Sequence, residues 1–289
     1  MFNHILVHYH EIALKGKNRK FFEQRLVDNI KNALKLKGSI ARMSRLNGRI
    51  LIETKDINRV LGQLKYVFGI SSYSPALVVE TSLQKIKKAA LDLASKAHKK
   101  SFKVKTKRAY KQFYLNSMEV SSDVGAYVLK NTDLRVDIKK PKTIINVEIL
   151  KDKSYIYTEK INGLGGLPVG TSGRMLALIS GGIDSPVASY LMMKRGCQLD
   201  FIHFHSYPFT NKASIEKVKE LLGVLNKYQG KSRLYLAPII EFQKEVVKKT
   251  EAKYRIILYR RLMYKVAEKI ADKYSTKALV SGDSLGQVA

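Results

Sequence analysis

The chain has 289 residues, with 53 Lys and Arg against 24 Asp and Glu, a formal net charge of +29 and 45% hydrophobic residues. This length suits two to three domains, and the apolar content suits packed cores rather than a disordered chain. The single cysteine, Cys197, excludes an internal disulfide framework and any zinc site within the chain that needs two cysteines, and no apolar run is long enough to span a membrane.

Taken in chain order, residues 5–8 read as a short strand, and residues 18–36 place Phe22, Leu26, Ile30, Ala33 and Leu34 at helical spacing. Residues 49–53 read as a strand after the Asn47-Gly48 turn, residues 58–65 as a short helix and residues 73–79 as extended, an order that fits a small ferredoxin-like α+β unit. Residues 82–100 are amphipathic and helical. The alternation in Phe102-Lys103-Val104-Lys105-Thr106-Lys107-Arg108 predicts a half-buried strand with a basic outer face. A helix over 121–131 and strands over 134–137, 144–149 and 155–158 complete a second α+β unit. Five glycines and a proline among residues 162–173 mark a linker. Beyond it the rhythm becomes βαβ, with strands at 174–179, 199–205, 233–237 and 278–281 and helices at 186–195, 215–228 and 257–273, as in a doubly wound parallel sheet.

Charge is concentrated early: residues 1–160 carry 33 basic and 14 acidic side chains. Such a surface suits a polyanion, because each neutralised phosphate releases counterions. The chemistry is concentrated in Ser180-Gly181-Gly182-Ile183-Asp184-Ser185, which lies between the first strand and first helix of the βαβ region, where open α/β sheets bind ligands. The glycines admit an anion close to backbone N–H groups, the Ser180 and Ser185 hydroxyls can donate to phosphate oxygens, and Pro186 suits the first helical position. Asp184 beside a phosphate calls for a bridging cation such as Mg2+. The run is neither a Walker A loop nor a dinucleotide fingerprint.

SGGIDS resembles the PP-loop of ATP pyrophosphatases. Together, LISGGIDSPVASYLMMKRG, FIHFHSYPFT, YRRLMYKVAEKIA and SGDSLGQVA resemble the tRNA 4-thiouridine synthetase (tRNA uracil sulfurtransferase) family. Residues 102–149 are similar to a THUMP RNA-binding domain, and HEIALKGKNRKFFEQRL is similar to the opening segment of that family. The resemblance implies a multidomain α+β and α/β chain: a ferredoxin-like N-terminal domain over 1–55 (its edge extending to about 75), THUMP over 56–160, a linker over 161–173 and a PP-loop domain over 174–289. It also implies roles. Asp184 matches the carboxylate needed for adenylation. Ser180, Gly181, Gly182, Asp184 and Ser185 match the pyrophosphate loop, and Leu178 and Ile179 match backbone contacts to the nucleotide. His203 and Phe204 match the adenine side, Arg260 a basic residue reaching ATP, and Gly282 the closing loop. The activity implied is ATP- and Mg2+-dependent transfer of sulfur to a tRNA uridine at position eight, through adenylation of O4 and a persulfide. A cysteine desulfurase is implied as donor, homodimers as a frequent assembly, and thiamine thiazole synthesis as a second use of the sulfur.

In that family the persulfide cysteine lies beyond the point matching Ala289, so a C-terminally truncated PP-loop domain is the expectation. Cys197 reads instead as a small apolar residue after a helix end. His8 and His10, and His203 and His205, could each share a strand face, but neither pair has a third metal ligand in view, so no metal is expected from the protein alone. The opening residues lack the segments of a secretory leader, which makes a cytoplasmic location the expectation. Two alternatives stand beside this reading: a tRNA-binding fragment without complete thiolation, and another PP-loop tRNA-modifying enzyme.

Overall fold

The computed structural model describes residues 2–36, 38–97, 100–209 and 212–283. Its elements in chain order are β1 (His4–His8), α1 (Arg19–Lys35), β2 (Arg42–Leu46), β3 (Arg49–Glu53), α2 (Ile57–Leu64), β4 (Ser72–Glu80), α3 (Leu83–Lys96), β5 (Ser101–Arg108), α4 (Ser117–Lys130), β6 (Arg135–Val136), β7 (Thr143–Ile149), β8 (Lys153–Tyr157) and β9 (Ile161–Asn162). There follow β10 (Arg174–Leu178), α5 (Asp184–Lys194), β11 (Gln198–His205), α6 (Ala213–Gln229), β12 (Leu234–Pro238), α7 (Ile240–Lys249), α8 (Ala252–Lys273) and β13 (Leu279–Val280). The chain divides into two compact units. One holds Met1–Tyr9, Lys37–Leu64 and Ile70–Gly163; the other holds His10–Leu36, Lys65–Gly69 and Leu164–Ala289.

The first unit is built on one nine-stranded sheet in the order β2-β3-β1-β4-β8-β7-β5-β6, with β9 also on β4. The ferredoxin-like and THUMP regions therefore share a continuous hydrogen-bonded sheet. Nine-residue β4 makes this possible: Ser72–Ala76 pair antiparallel with β1, while Leu77–Glu80 pair with β8. Residues 161–162, expected as linker, form β9 and pair with Ser72 and Tyr73. α3 and α4 cover one sheet face through Ile86, Ala90, Val120, Val124 and Val128 against Phe102, Ile145 and Val147. Asn116 caps α4 with a reciprocal capping box to Glu119, so this helix begins four residues earlier than the apolar pattern predicted. The other face carries a buried polar node. The Glu148 carboxylate receives Arg49 Nε, His8 Nε2 at 2.8 Å and the Tyr157 hydroxyl at 2.8 Å. Burial pushes this carboxyl up, but its bonds to His8, Arg49 and Tyr157 more than offset that and hold it at about 2.

The second unit carries a four-stranded parallel sheet in the order β12-β11-β10-β13. On one face Val218, Leu222 and Leu225 of α6 and Met193 of α5 pack against Ala177, Leu199 and Phe201. On the other, Ala267 and Ala271 of α8 meet Leu176 and Ile202. Helices on both faces are what a parallel sheet needs, since each strand is apolar on both sides. α1 belongs to this unit: Asn29 donates to the Val169 carbonyl at 3.1 Å, and Glu11, just before the helix, pairs with Arg195 at 3.0 Å. Cys197 is buried in this core, and burial raises its thiol pKa.

Candidate functional site

In the order β12-β11-β10-β13 the chain runs outward to one side from β10 and then returns to its other side, so the switch point lies at the carboxyl end of β10. There the strand gives way to the Ser180–Ser185 turn. Ile179 N still donates to Ile202 O at 2.8 Å, and then the loop closes on itself. Ser180 N donates to Ser185 Oγ at 2.9 Å, the two hydroxyls lie 3.1 Å apart, and Gly182 N donates to Ser180 Oγ at 3.3 Å. α5 starts at Asp184, so Pro186 is its third residue rather than its first. The position is still within the first turn, where a missing N–H breaks no helical bond. Ile183 at the cap has no side-chain acceptor to offer, which leaves first-turn donors for an anion.

Leu178, Ile179, Ser180, Ser185, His203, Phe204, Arg260 and Gly282 line one cavity of about 250 Å3, together with Met263, Tyr264, Ser281 and Asp283. This is below the roughly 300–1,000 Å3 of sites that enclose a drug-sized ligand. It has room for part of a nucleotide, with the rest extending over the adjoining loop. Gly181, Gly182 and Asp184 do not line the cavity; they continue the path beyond Ser180 and Ser185.

His203 is buried on β11. The Ile179 carbonyl, 2.9 Å from Nδ1, can only accept, so Nδ1 carries the proton and Nε2 is an acceptor. Nε2 is buried and has no hydrogen-bond partner among the described residues. Burial lowers the His203 pKa despite the bond to Ile179, which keeps the ring neutral at neutral pH. The Ile179 amide and carbonyl are thus both engaged. Of the two residues expected to meet a nucleotide through the backbone, Ile179 retains only the second lone pair of its carbonyl.

Gly282 brings the loop after β13 onto the first turn of α5. A Cβ there would lie 2.5 Å from both Ser185 Cα and Ser185 N, so only glycine permits the approach. Arg260 on α8 donates to Asp283 at 2.6 Å, and Tyr264, one turn further along α8, donates to the other Asp283 oxygen at 2.9 Å. Bonds from Ser281, Tyr264 and Arg260 hold the Asp283 carboxyl below the ordinary range. Met263, Tyr264 and Asp283 were not singled out from sequence. The signal was present, because residues three and four beyond Arg260 share its helix face. Residues 284–289 of the closing motif lie outside the described residues.

His8 is engaged by Glu148, and no group of three His, Cys, Asp or Glu residues able to hold a metal occurs among the described residues. In the first unit, Lys103, Lys105 and Lys107 alternate along β5 with Phe102, Val104 and Thr106. The latter set faces the helices, with Thr106 bonded to Ser121 of α4, so the lysines line the opposite sheet face.

A glycine-rich loop at the switch point of a parallel sheet, opening into a part-apolar cavity, is the arrangement of an α/β nucleotide-binding enzyme domain, here joined to a basic α+β unit. The description "Thiamine biosynthesis protein (ThiI)" matches residues 170–289, "ThiI ferredoxin-like domain" residues 4–74 and "THUMP domain" residues 80–159. Relatives named probable tRNA sulfurtransferase are 45% identical in Thermoanaerobacter sp. (strain X514) and 44% identical in Brevibacillus brevis, each over 99% of this chain. The chain spans 75% and 72% of their lengths. The chain belongs to the tRNA sulfurtransferase family. Among solved structures, a 4-thiouridine synthetase–RNA complex with bound ATP superposes with a TM-score of 0.88 at 37% identity, over 100% of this chain and 75% of that one. PH1313 from Pyrococcus horikoshii superposes with a TM-score of 0.77 at 32% identity, over 99% of this chain and 88% of that one.

Proposed function

We propose that the protein is an ATP-dependent tRNA sulfurtransferase that makes 4-thiouridine. Uracil O4 attacks the α-phosphorus of ATP, the bond to the β-phosphate bridge breaks, and pyrophosphate leaves. A sulfur nucleophile then adds at C4, and the C4–O bond breaks with loss of AMP. The observation that carries this reading is the continuity of the SGGIDS loop with the His203 cavity. The family relation and the ATP-bound 4-thiouridine synthetase neighbour support it.

The protein's own groups have distinct tasks. The neutral His203 ring stands at the adenine side of the cavity, with Phe204 and Met263 as apolar walls. The loop and first-turn donors of α5 hold the phosphates and stabilise charge developing on the leaving pyrophosphate. Asp184, exposed on the first turn of α5 with no ion-pair partner among the described residues, is the oxygen ligand that would hold Mg2+ against the phosphates. When bound, that ion supplies charge neutralisation. The lysine face of β5 takes tRNA phosphates.

The reading extends to position eight of the tRNA as target, to sulfur arriving as a persulfide from a cysteine desulfurase, with a further thiol cleaving the S–S bond to its carrier and leaving as a disulfide, to a share in thiamine thiazole synthesis, and to a homodimer working in the cytoplasm. No helix among the described residues is long and apolar enough to cross a membrane. Incubation of the protein with tRNA, ATP, Mg2+ and inorganic sulfide should yield 4-thiouridine on nucleoside analysis, and Asp184→Asn should abolish it. Thiolation that proceeds equally well without ATP would rule the reading out.

A further inference from the structure

We propose that Lys217 of α6 is a phosphate-holding residue of this site, gripping the pyrophosphate end of ATP across the Gly181 turn; the inference rests on reading the cavity as an ATP site. α6 follows β11, so its first turns stand at the same carboxyl edge of the sheet as the loop after β10. Lys217 lies in the second turn. Its aliphatic stem runs over Gly181: a Cβ built there would meet Lys217 Cδ at 3.2 Å and Cγ and Cε at 3.8 Å. The same construction at Gly182 meets the Ser180 hydroxyl at 3.4 Å. The two glycines therefore serve different neighbours, one the stem of a cation and one the hydroxyl that ties the turn.

The neighbouring lysines of α6 and its cap are engaged elsewhere. Lys219 pairs with Glu216 at 2.7 Å, and the Lys212 ammonium sits 5.2 Å from the Tyr207 ring centre. Lys217 is exposed and has no ion-pair or ring partner among the described residues. Arg260, the cation expected from sequence to reach ATP, is already balanced by Asp283. A triphosphate on this loop thus meets one cation with a local counter-charge and one without. Lysine acts on phosphate as a mobile point charge, and an uncompensated one beside donor N–H groups is suited to the charge that grows as pyrophosphate departs.

The test is equilibrium binding of ATP, AMP and inorganic pyrophosphate by the whole chain and by Lys217→Met, Lys217→Arg and Gly181→Ala. Lys217→Met should weaken pyrophosphate and ATP at least tenfold and leave AMP within twofold, and Lys217→Arg should recover to within about threefold of the parent. Gly181→Ala, which displaces the stem, should weaken pyrophosphate in the parent but add little in Lys217→Met, because the two changes act through one contact. Unchanged pyrophosphate affinity in Lys217→Met, or an equal loss for AMP, would overturn the role of Lys217. Failure of the parent itself to bind ATP would overturn both the site and this role, and the parent titration tells that case apart.

Discussion

At Gly282 a single carbon decides whether the loop after β13 can rest on α5, because any Cβ would lie 2.5 Å from the Ser185 backbone. Gly282→Ala should therefore lower ATP affinity at least tenfold in a binding titration while the far-ultraviolet circular dichroism stays that of the parent, since the clash is confined to one loop. An unchanged affinity would show that this close approach does not shape the cavity. In the first unit, Glu148 is the residue whose removal matters most. Glu148→Gln leaves the buried Arg49 guanidinium without its counter-charge, and a broken buried pair costs about 3–5 kcal/mol, so the urea midpoint should fall sharply. The parent has a matching pH response. The carboxyl is held at about 2 in the folded chain against its ordinary 4.5, so its contribution is complete above about 4.5 and is lost as pH falls through about 2. Urea unfolding of parent and variant across that window should converge as the pH drops; parallel curves would count against the node. Neither Glu148 nor Asp283 stands out in sequence, because both act through partners distant in the chain, Arg49 being 99 residues from Glu148.

Among the elements, those with a strong period were legible. α1 repeats its buried Leu26, Ile30 and Leu34 at helical spacing, and β5 alternates apolar residues with lysine. The misses have physical reasons. β2, Arg-Met-Ser-Arg-Leu, is an edge strand with two arginines and no buried residue, so it shows no apolar pattern. α7 buries only Val246, too little to mark a face. The start of α4 is set by polar capping at Asn116 rather than by hydrophobic residues. The β5 lysines make the prediction at this scale. Changing Lys103, Lys105 and Lys107 together to Gln should weaken tRNA binding and flatten the dependence of log affinity on log salt by about 2–3, leaving ATP affinity unchanged. An unaltered salt slope would move the RNA face elsewhere.

Across the whole molecule, the order of ferredoxin-like, THUMP and doubly wound regions was readable because each has its own element rhythm, and so was the place of the loop at the first strand-to-helix turn of the parallel sheet. What could not be read was the pairing between regions. One strand, β4, joins the ferredoxin-like and THUMP sheets, and residues 10–36 and 65–69 fold with the nucleotide-binding region far along the chain. Such pairings depend on contacts whose partners no local pattern names. With a net charge of +29, polyanion binding alone would be unsurprising, so affinity for tRNA discriminates weakly between an enzyme and an RNA-binding fragment. The bond of ATP that is broken discriminates strongly. The measurement to make is the product distribution when the protein, tRNA, Mg2+, inorganic sulfide and ATP, labelled in parallel reactions at the α- and the γ-phosphate, are incubated and separated by chromatography. AMP, with an equal amount of pyrophosphate, appearing only when tRNA is present and absent with Asp184→Asn, is the result this account predicts. ADP and phosphate as products, or AMP formed equally without tRNA, would contradict it.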